Sequence, residues 1–542
     1  MRFFRQVTKL TLPCAMRAML CLFLAVGTCT AAFGQTRSSK VVRVTSGSLK
    51  GSVKEGVASF KGIPFAAPPV GDLRWRPPQP VSPWRGVRVA DNFGNHCMQG
   101  PPAFISYAPS QEASEDCLTL NVWTPVTHKK PLPVMVFIHG GGFVNGGSSV
   151  PLYDGTQFAK LGVILVSINY RLGRFGFFAH PALTKESPEG LLGNYGFMDQ
   201  IAALKWVQTN INAFGGDAKN VTVFGESAGG QSINALMTSS LAKGLFHKAI
   251  VESGGGRPLL GRRKMPLLRG VAWNGTRSGE EIGAAFAKQM SIEGDDSQTL
   301  KALRALPAKS LLGAKVMRHG DSDTFSGPMI DGRILADDPG WIFTTGKQMR
   351  IPYIVGANSL ELDVPQRDQT ISKISGHDND QKESAPGVAT ELIGNIVFVE
   401  PARFSARQMA LSGQPTFEYR FSYVSESQRP TQKGARHASE IPYVFSTLKF
   451  RRGASTTVQD QAMSDTMIRY WVNFARTGNP NGGPLPKWPF YSPDKDELMN
   501  FTNEGPVGEA DPNRTSLDQI STRWSIKSSR TGVVDIRGSV DR

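Results

Sequence analysis

Cysteine is scarce in this chain: five residues in 542, and three of them, Cys14, Cys21 and Cys29, fall within the first 34 positions. There is no C-x-x-C pair and no His/Cys cluster with zinc spacing among the eight histidines, so the sequence predicts no metal site. No internal repeat of 20–50 residues is visible, which excludes a solenoid or propeller. Beyond residue 34 no apolar run reaches the roughly 20 residues that a bilayer-spanning helix needs. Acidic residues are absent from the first 34 positions, which carry Arg2, Arg5, Lys9 and Arg17. The net charge of +16 therefore falls to about +12 for the remainder. That excess is scattered and comes with no helix-turn-helix, zinc-finger or RNA-binding signature, so nucleic acid is not an expected partner.

What is present at the N-terminus reads as a secretory signal over 1–34. A basic stretch ends at Arg17, an apolar run covers Ala18–Val26, and Ala32 and Gly34 suit the −3 and −1 positions of a cleavage site. The run is short for a retained anchor, and Thr28 is a poor residue before a lipidated Cys29. The mature protein is thus expected to be periplasmic or secreted, without stable membrane insertion. Export leaves Cys97 and Cys117, which an oxidising compartment would bridge. Closing that loop should stabilise the fold by about 3 kcal/mol in the chain-entropy model.

Short apolar runs predict buried strands at 133–139, 162–169, 220–226, 247–253 and 351–356. Between them, 197–214 repeats apolar residues at helical spacing, with Ile201, Leu204, Val207 and Ile211 on one face. Strand, helix and strand in alternation predict an α/β fold, a mostly parallel sheet covered on both faces. Residues 255–280 and 366–387 read as loops, and a polar, basic tail follows from about 526.

One strand runs into Gly225-Glu226-Ser227-Ala228-Gly229, a G-x-S-x-G pattern. Glycines on both sides of the serine allow a sharp strand-to-helix turn that exposes the hydroxyl at the sheet edge. The same turn sets the serine at a helix N-terminus, whose free N–H groups favour negative charge. A second strand ends in His139-Gly140-Gly141-Gly142, where consecutive glycines can turn their N–H groups toward an oxyanion. A Rossmann phosphate loop would need G-x-G-x-x-G, and position 145 is Asn. A serine hydroxyl needs a base, and in such a fold the chain order is serine, acid, histidine. Only His377 and His437 follow a plausible acid. His377 lies in a polar run, whereas His437 lies between a strand-like segment at 415–421 and an apolar run. The strand at 351–356 leads to two candidate acids, Glu361 and Asp363.

Together these residues resemble the type-B carboxylesterase family, which includes cholinesterases and bacterial para-nitrobenzyl esterases. The resemblance extends to EDCLTLNVWTP (115–125), FGGDAKNVTVFGESAG (214–229), FKGIPFAAPPVGDLRWRPP (60–78), NYRLGRFGF (169–177) and WVNFARTGNPN (471–481), and spans about 41 to 500. It implies a single α/β-hydrolase domain over 35–525, with loop and helix elaborations over the active site, in place of the three or four domains that length alone suggests. It implies Ser227 as nucleophile, His437 as base and Glu361 as acid, the last within G-x-N-x-x-E from Gly356 and Asn358. It also implies an oxyanion hole from Gly141, Gly142 and the N–H of Ala228, a Cys97–Cys117 disulfide, and buried polar residues Glu226 and Ser253 beside the histidine. One departure stands out: the family's glycine after the acid is here Leu362.

The expected function is hydrolysis of small-molecule carboxylic esters through an acyl-enzyme, without a cofactor. A lipase is the near alternative and would need an apolar lid, but no strongly amphipathic helix stands out in 255–320. Non-catalytic adhesion relatives lack the nucleophile or base, whereas this chain keeps Ser227, Glu361 and His437. Arg257, Arg262, Arg263, Lys264 and Arg269 form a basic stretch with no acid, expected near the rim of the site, where it could draw in anionic esters.

Overall fold

The strands predicted from apolar runs form the middle of a 13-stranded mixed sheet in a computed structural model. It describes residues 39–100, 111–187, 189–255, 257, 265–270, 277–313, 325–362 and 391–530, the side chains of 452 and 523–530 excepted. The expected signal, His377, Asp363, Arg262, Arg263 and Lys264 lie outside the described residues.

In chain order the sheet comprises β1 (Ser39–Val44), β2 (Gly47–Lys54), β3 (Val57–Pro64), β4 (Val87–Val89), β5 (Thr119–Pro125), β6 (Leu132–Ile138), β7 (Ile164–Ile168), β8 (Gly216–Glu226), β9 (Lys248–Glu252), β10 (Tyr353–Asn358), β11 (Thr416–Phe421), β12 (Glu497–Thr502) and β13 (Gly505–Ala510). Their spatial order is β1-β2-β3-β5-β7-β6-β8-β9-β10-β11-β12-β13, with β4 paired to β2. The run from β7 through β12 is parallel, and antiparallel pairs flank it on both sides.

Alternating side chains of the parallel strands enter two different cores, because successive residues of a strand point to opposite faces. Val134, Val136, Val223, Val251 and Val355 join one apolar cluster. Met135, Phe137, Phe224, Ile250 and Ile354 join the other. Helices cover both. The first face takes α1 (Tyr195–Asn210), α2 (Ala228–Thr238) and α3 (Glu400–Leu411), through residues such as Leu204, Ile233 and Met409. The second takes α4 (Val458–Thr477), through Met467, Trp471 and Phe474. A capping box between Thr457 and Asp460 starts α4, and Gly478 at φ 78° ends it.

The helix predicted at 197–214 is α1 followed by a 3₁₀ turn at Ile211–Phe214, which Gly215 ends at φ 89°. Two helices differ from expectation. Gly279–Gln289 and Ser297–Ala305 lie where no amphipathic helix stood out. Ser278 and Asp296 cap them, and their apolar residues Phe286, Leu300 and Leu303 are sunk in the first core. Those faces are therefore occupied by packing and are not a free lid. Helix α5 (Arg514–Arg530) crosses the boundary expected near 526. The described residues from Ser39 onward cluster as one compact unit.

Candidate active site

The C-terminal ends of β6, β8, β9 and β10 deliver the candidate residues to one edge of the sheet. At the end of β8 the chain turns through Ser227 at φ 55° and ψ −119°, and α2 begins at Ala228. A non-glycine residue holds this conformation only when its surroundings over-determine it. The Ser227 N–H donates to the Glu252 carbonyl at 2.9 Å, while the Ser227 carbonyl accepts from Gln231 N–H. The flanking glycines are a steric necessity. A Cβ on Gly225 would lie 2.5 Å from the Ile138 carbonyl oxygen, and one on Gly229 only 1.9 Å from it.

The loop after β6 lies directly against this turn. A Cβ on Gly140 would meet the Glu226 carboxylate at 2.5 Å and the Ser227 Cβ at 3.0 Å. Gly141 and Gly142 adopt φ 104° and 59°, and the Gly141 carbonyl accepts from Val144 and Asn145 N–H to close the loop. Among the described residues, the N–H groups of Gly141, Gly142 and Ala228 make no backbone hydrogen bond. His139 is a residue that sequence reasoning quoted but gave no role. Its ring stacks on Tyr170 at 4.5 Å, its Nδ1 faces the Gly140 carbonyl at 2.8 Å, and Tyr170 donates to its carbonyl. Burial pushes His139 down to about 4, so a neutral ring anchors the glycine loop.

His437 reaches the same edge from the loop after β11. Its Nδ1 lies 2.6 Å from Glu361 Oε2, and its Nε2 lies 3.1 Å from Glu226 Oε1. Glu361 Oε1 in turn accepts from Ser253 Oγ and from the Asn358 N–H, both at 2.6 Å. Glu361, Glu226, Ser253 and His437 therefore stand together. Leu362, in the place of the family's glycine, packs against an apolar cluster that contains Ala357, Ile396, Phe398 and Leu517. The Phe398 ring lies 4.6 Å from the His437 ring, carried on a π-helical turn at Asn395–Val399. Gly394, just before it, comes within 3.4 Å of Glu361 Cβ at its own Cβ position.

Sequence reasoning missed two more acids. Glu440 and Glu252 are wholly buried near His437 and Glu226, and Trp471 donates to Glu252 at 2.6 Å. Burial and the repulsion of Glu226 and Glu361 push Glu440 up to about 8. Burial, then Glu440, raises Glu252 well above the carboxylate range. Burial likewise lifts Glu226 to about 7, opposed by His437 and aided by Glu361. For His437 burial works downward, but Glu226, Glu361 and Glu440 outweigh it, so the imidazole is held above its ordinary value. The signal for Glu440 was its place three residues after His437. Glu252 had none beyond its strand end.

Cys97 and Cys117 are joined, with Cα atoms 5.0 Å apart. Of the basic stretch, Arg257 is engaged by Glu400 and lies over the Phe404 ring, and Arg269 is exposed. Among the described residues no set of side chains is grouped to hold a metal ion.

The carboxylesterase family model matches residues 38–384 and 365–518. The fumonisin B1 esterase of Sphingopyxis macrogoltabida is 35% identical over 90% of this chain and 91% of its own. The para-nitrobenzyl esterase of Bacillus subtilis is 35% identical over 87% of this chain and 96% of its own. A solved structure of a PNB esterase superposes with a TM-score of 0.75 at 32% identity, covering 89% of this chain and all of that one.

Proposed function

The chain belongs to the carboxylesterase family and is a serine carboxylic ester hydrolase of α/β-hydrolase fold, and from that premise we propose the roles of its residues. Ser227 is the nucleophile, His437 the general base and Glu361 the acid that orients it. The observation that carries this reading is the bridge from His437 Nδ1 to Glu361 Oε2 at 2.6 Å, at the sheet edge where Ser227 stands at the N-terminus of α2.

Ser227 Oγ attacks the ester carbonyl while His437 Nε2 takes its proton. The tetrahedral oxygen is received by the N–H groups of Gly141, Gly142 and Ala228, which the glycine loop and the first turn of α2 hold ready. His437 returns the proton to the leaving alcohol, and a water molecule then repeats the sequence on the acyl-Ser227. Glu361 keeps the proton on Nδ1, which leaves Nε2 as the nitrogen that accepts the serine proton. Glu226 stabilises the imidazolium as it forms, and Ser253 holds Glu361 in place. The substrates are small-molecule esters.

The single-domain reading of 35–525 is supported by the one compact unit from Ser39 onward. Residues 1–34 serve as an export signal, and the enzyme acts in the periplasm or outside the cell. The Cys97–Cys117 disulfide supports that placement, because such bridges persist in oxidising compartments. Among the described residues no helix is long and apolar enough to cross a membrane.

The test is turnover of para-nitrophenyl esters of increasing acyl length, with and without a serine-directed organophosphate. Peptide mapping should then find the phosphoryl group on Ser227. Ser227→Ala should lower kcat by about 10⁴- to 10⁶-fold while the protein stays folded. A variant that keeps a tenth of the activity, or a label on another residue, would refute the assignment.

A further inference from the structure

The histidine loop is tied to the acid-bearing strand end by one buried side chain. β10 ends at Asn358, which has no exposed surface. Its backbone N–H donates to Glu361 Oε1 at 2.6 Å. Its side-chain Nδ2 donates to the Arg436 carbonyl at 2.9 Å and to Glu440 Oε2 at 2.5 Å. Arg436 precedes His437, and Glu440 follows it by three residues. One amide therefore holds the loop on both sides of the imidazole and the acid at the same time. Shorter ties run alongside: Leu360 N–H to the Ala435 carbonyl, Ala435 N–H to Ser359 Oγ and His437 N–H to the Glu361 carbonyl. The loop needs such holding, since Ala438 sits at φ 61°, where an L-residue is strained.

We propose that Asn358 is a positioning residue of the ester hydrolysis: through the Arg436 carbonyl and the Glu440 carboxyl it fixes the loop that presents His437 to Ser227. The proposal rests on the assignment of Ser227, His437 and Glu361 made above. A carboxamide suits the place chemically. It supplies two N–H donors from one planar nitrogen and adds no charge to a pocket that already holds Glu226, Glu252, Glu361 and Glu440. Losing those donors loosens the loop on both sides of His437, while its ties to Ser359, Leu360 and Glu361 remain. A displacement of about 1 Å at the base costs on the order of 10²-fold in rate. The loss should therefore fall on kcat and spare KM.

The wild-type enzyme is first labelled with a fluorophosphonate probe and mapped. A label away from Ser227 would sink the triad, and this proposal with it, before any Asn358 variant is made. With Ser227 labelled, Asn358→Asp keeps the shape and the backbone N–H but can no longer donate to both the Arg436 carbonyl and Glu440. It should lower kcat for para-nitrophenyl butyrate by about 10- to 100-fold, with KM within about threefold. The fluorophosphonate labelling rate should fall in parallel. Glu440→Gln, which keeps an oxygen for Asn358 to bond, should lose several-fold less kcat than Glu440→Ala. An Asn358→Asp enzyme with more than half the wild-type kcat, or a loss confined to KM, would overturn the proposal. Should Asn358→Asp fail to fold, the Glu440 pair decides: equal kcat in Glu440→Gln and Glu440→Ala would overturn it as well.

Discussion

His437 Nε2 stands 3.1 Å from Glu226 Oε1, so the imidazole lies between two carboxylates, with Glu361 on its Nδ1. Glu226 also precedes Ser227 in the elbow, and its carboxylate lies where a side chain on Gly140 would go. The glycine loop, Ser227 and His437 thus surround one buried carboxyl group.

A pH dependence follows from that arrangement. A general base must be neutral, and His437 is held above the ordinary histidine value of about 6.5, chiefly by Glu226 among the groups that raise it. Activity is therefore absent well below the raised pKa and appears as pH rises through it. The acidic limb of kcat/KM for a neutral ester should have its midpoint above 6.5. Removing the charge in Glu226→Gln should move that midpoint to lower pH. A wild-type midpoint at or below 6.5, or one that Glu226→Gln leaves in place, would contradict this account.

The acid can be tested by comparing Glu361→Gln with Asp363→Asn. Glu361 contacts His437, Ser253 and Asn358 at once. Glu361→Gln should lower kcat by on the order of 10²- to 10⁴-fold, as the loss of the acid in other triads does. Asp363→Asn should stay within about threefold. A larger loss in the Asp363 variant would reverse the choice.

Gly229 is predicted to tolerate no side chain. Its Cβ position is 1.9 Å from the Ile138 carbonyl oxygen, a backbone atom that cannot swing aside. Gly229→Ala must push α2 away from β6 and disturb the turn at Ser227. Overpacking of this kind costs about 1–3 kcal/mol, and kcat should fall by at least 10²-fold. Denaturant unfolding and burst-phase kinetics would show both. Wild-type values for each would mean that the elbow is looser than its contacts indicate.

The disulfide should contribute to stability rather than to chemistry. Cys97 and Cys117 are buried and are separated by 20 residues. Replacing both with Ala should lower the unfolding free energy by about 3 kcal/mol, with kcat for the folded protein near wild type. A loss under about 1 kcal/mol would show that the loop is already constrained by its other contacts.

Much of this protein is decided within short windows of sequence. The runs that became β6 to β10 are mostly apolar without strict alternation because both faces of a parallel sheet are covered, and that pattern needs no partner to be recognised. The G-x-S-x-G elbow and the glycine loop after His139 are local devices of the same kind, set by backbone geometry. The helices at Gly279–Gln289 and Ser297–Ala305 belonged in this category too. The Ser278–Glu281 capping box and the Asp296 cap were legible, but only two or three apolar residues in each helix form its buried face. The charge pattern around His437 could not be read this way. Trp471 reaches Glu252 across 219 residues, and Asn358 reaches Glu440 across 82. Glu252 at its strand end and Glu440 three residues after His437 carry weak local signals, but neither shows that the two carboxyls meet beside the histidine until the strands are laid side by side. Burial and mutual repulsion, which set the protonation of these groups, depend on distance through space. Only the tertiary structure supplies that distance.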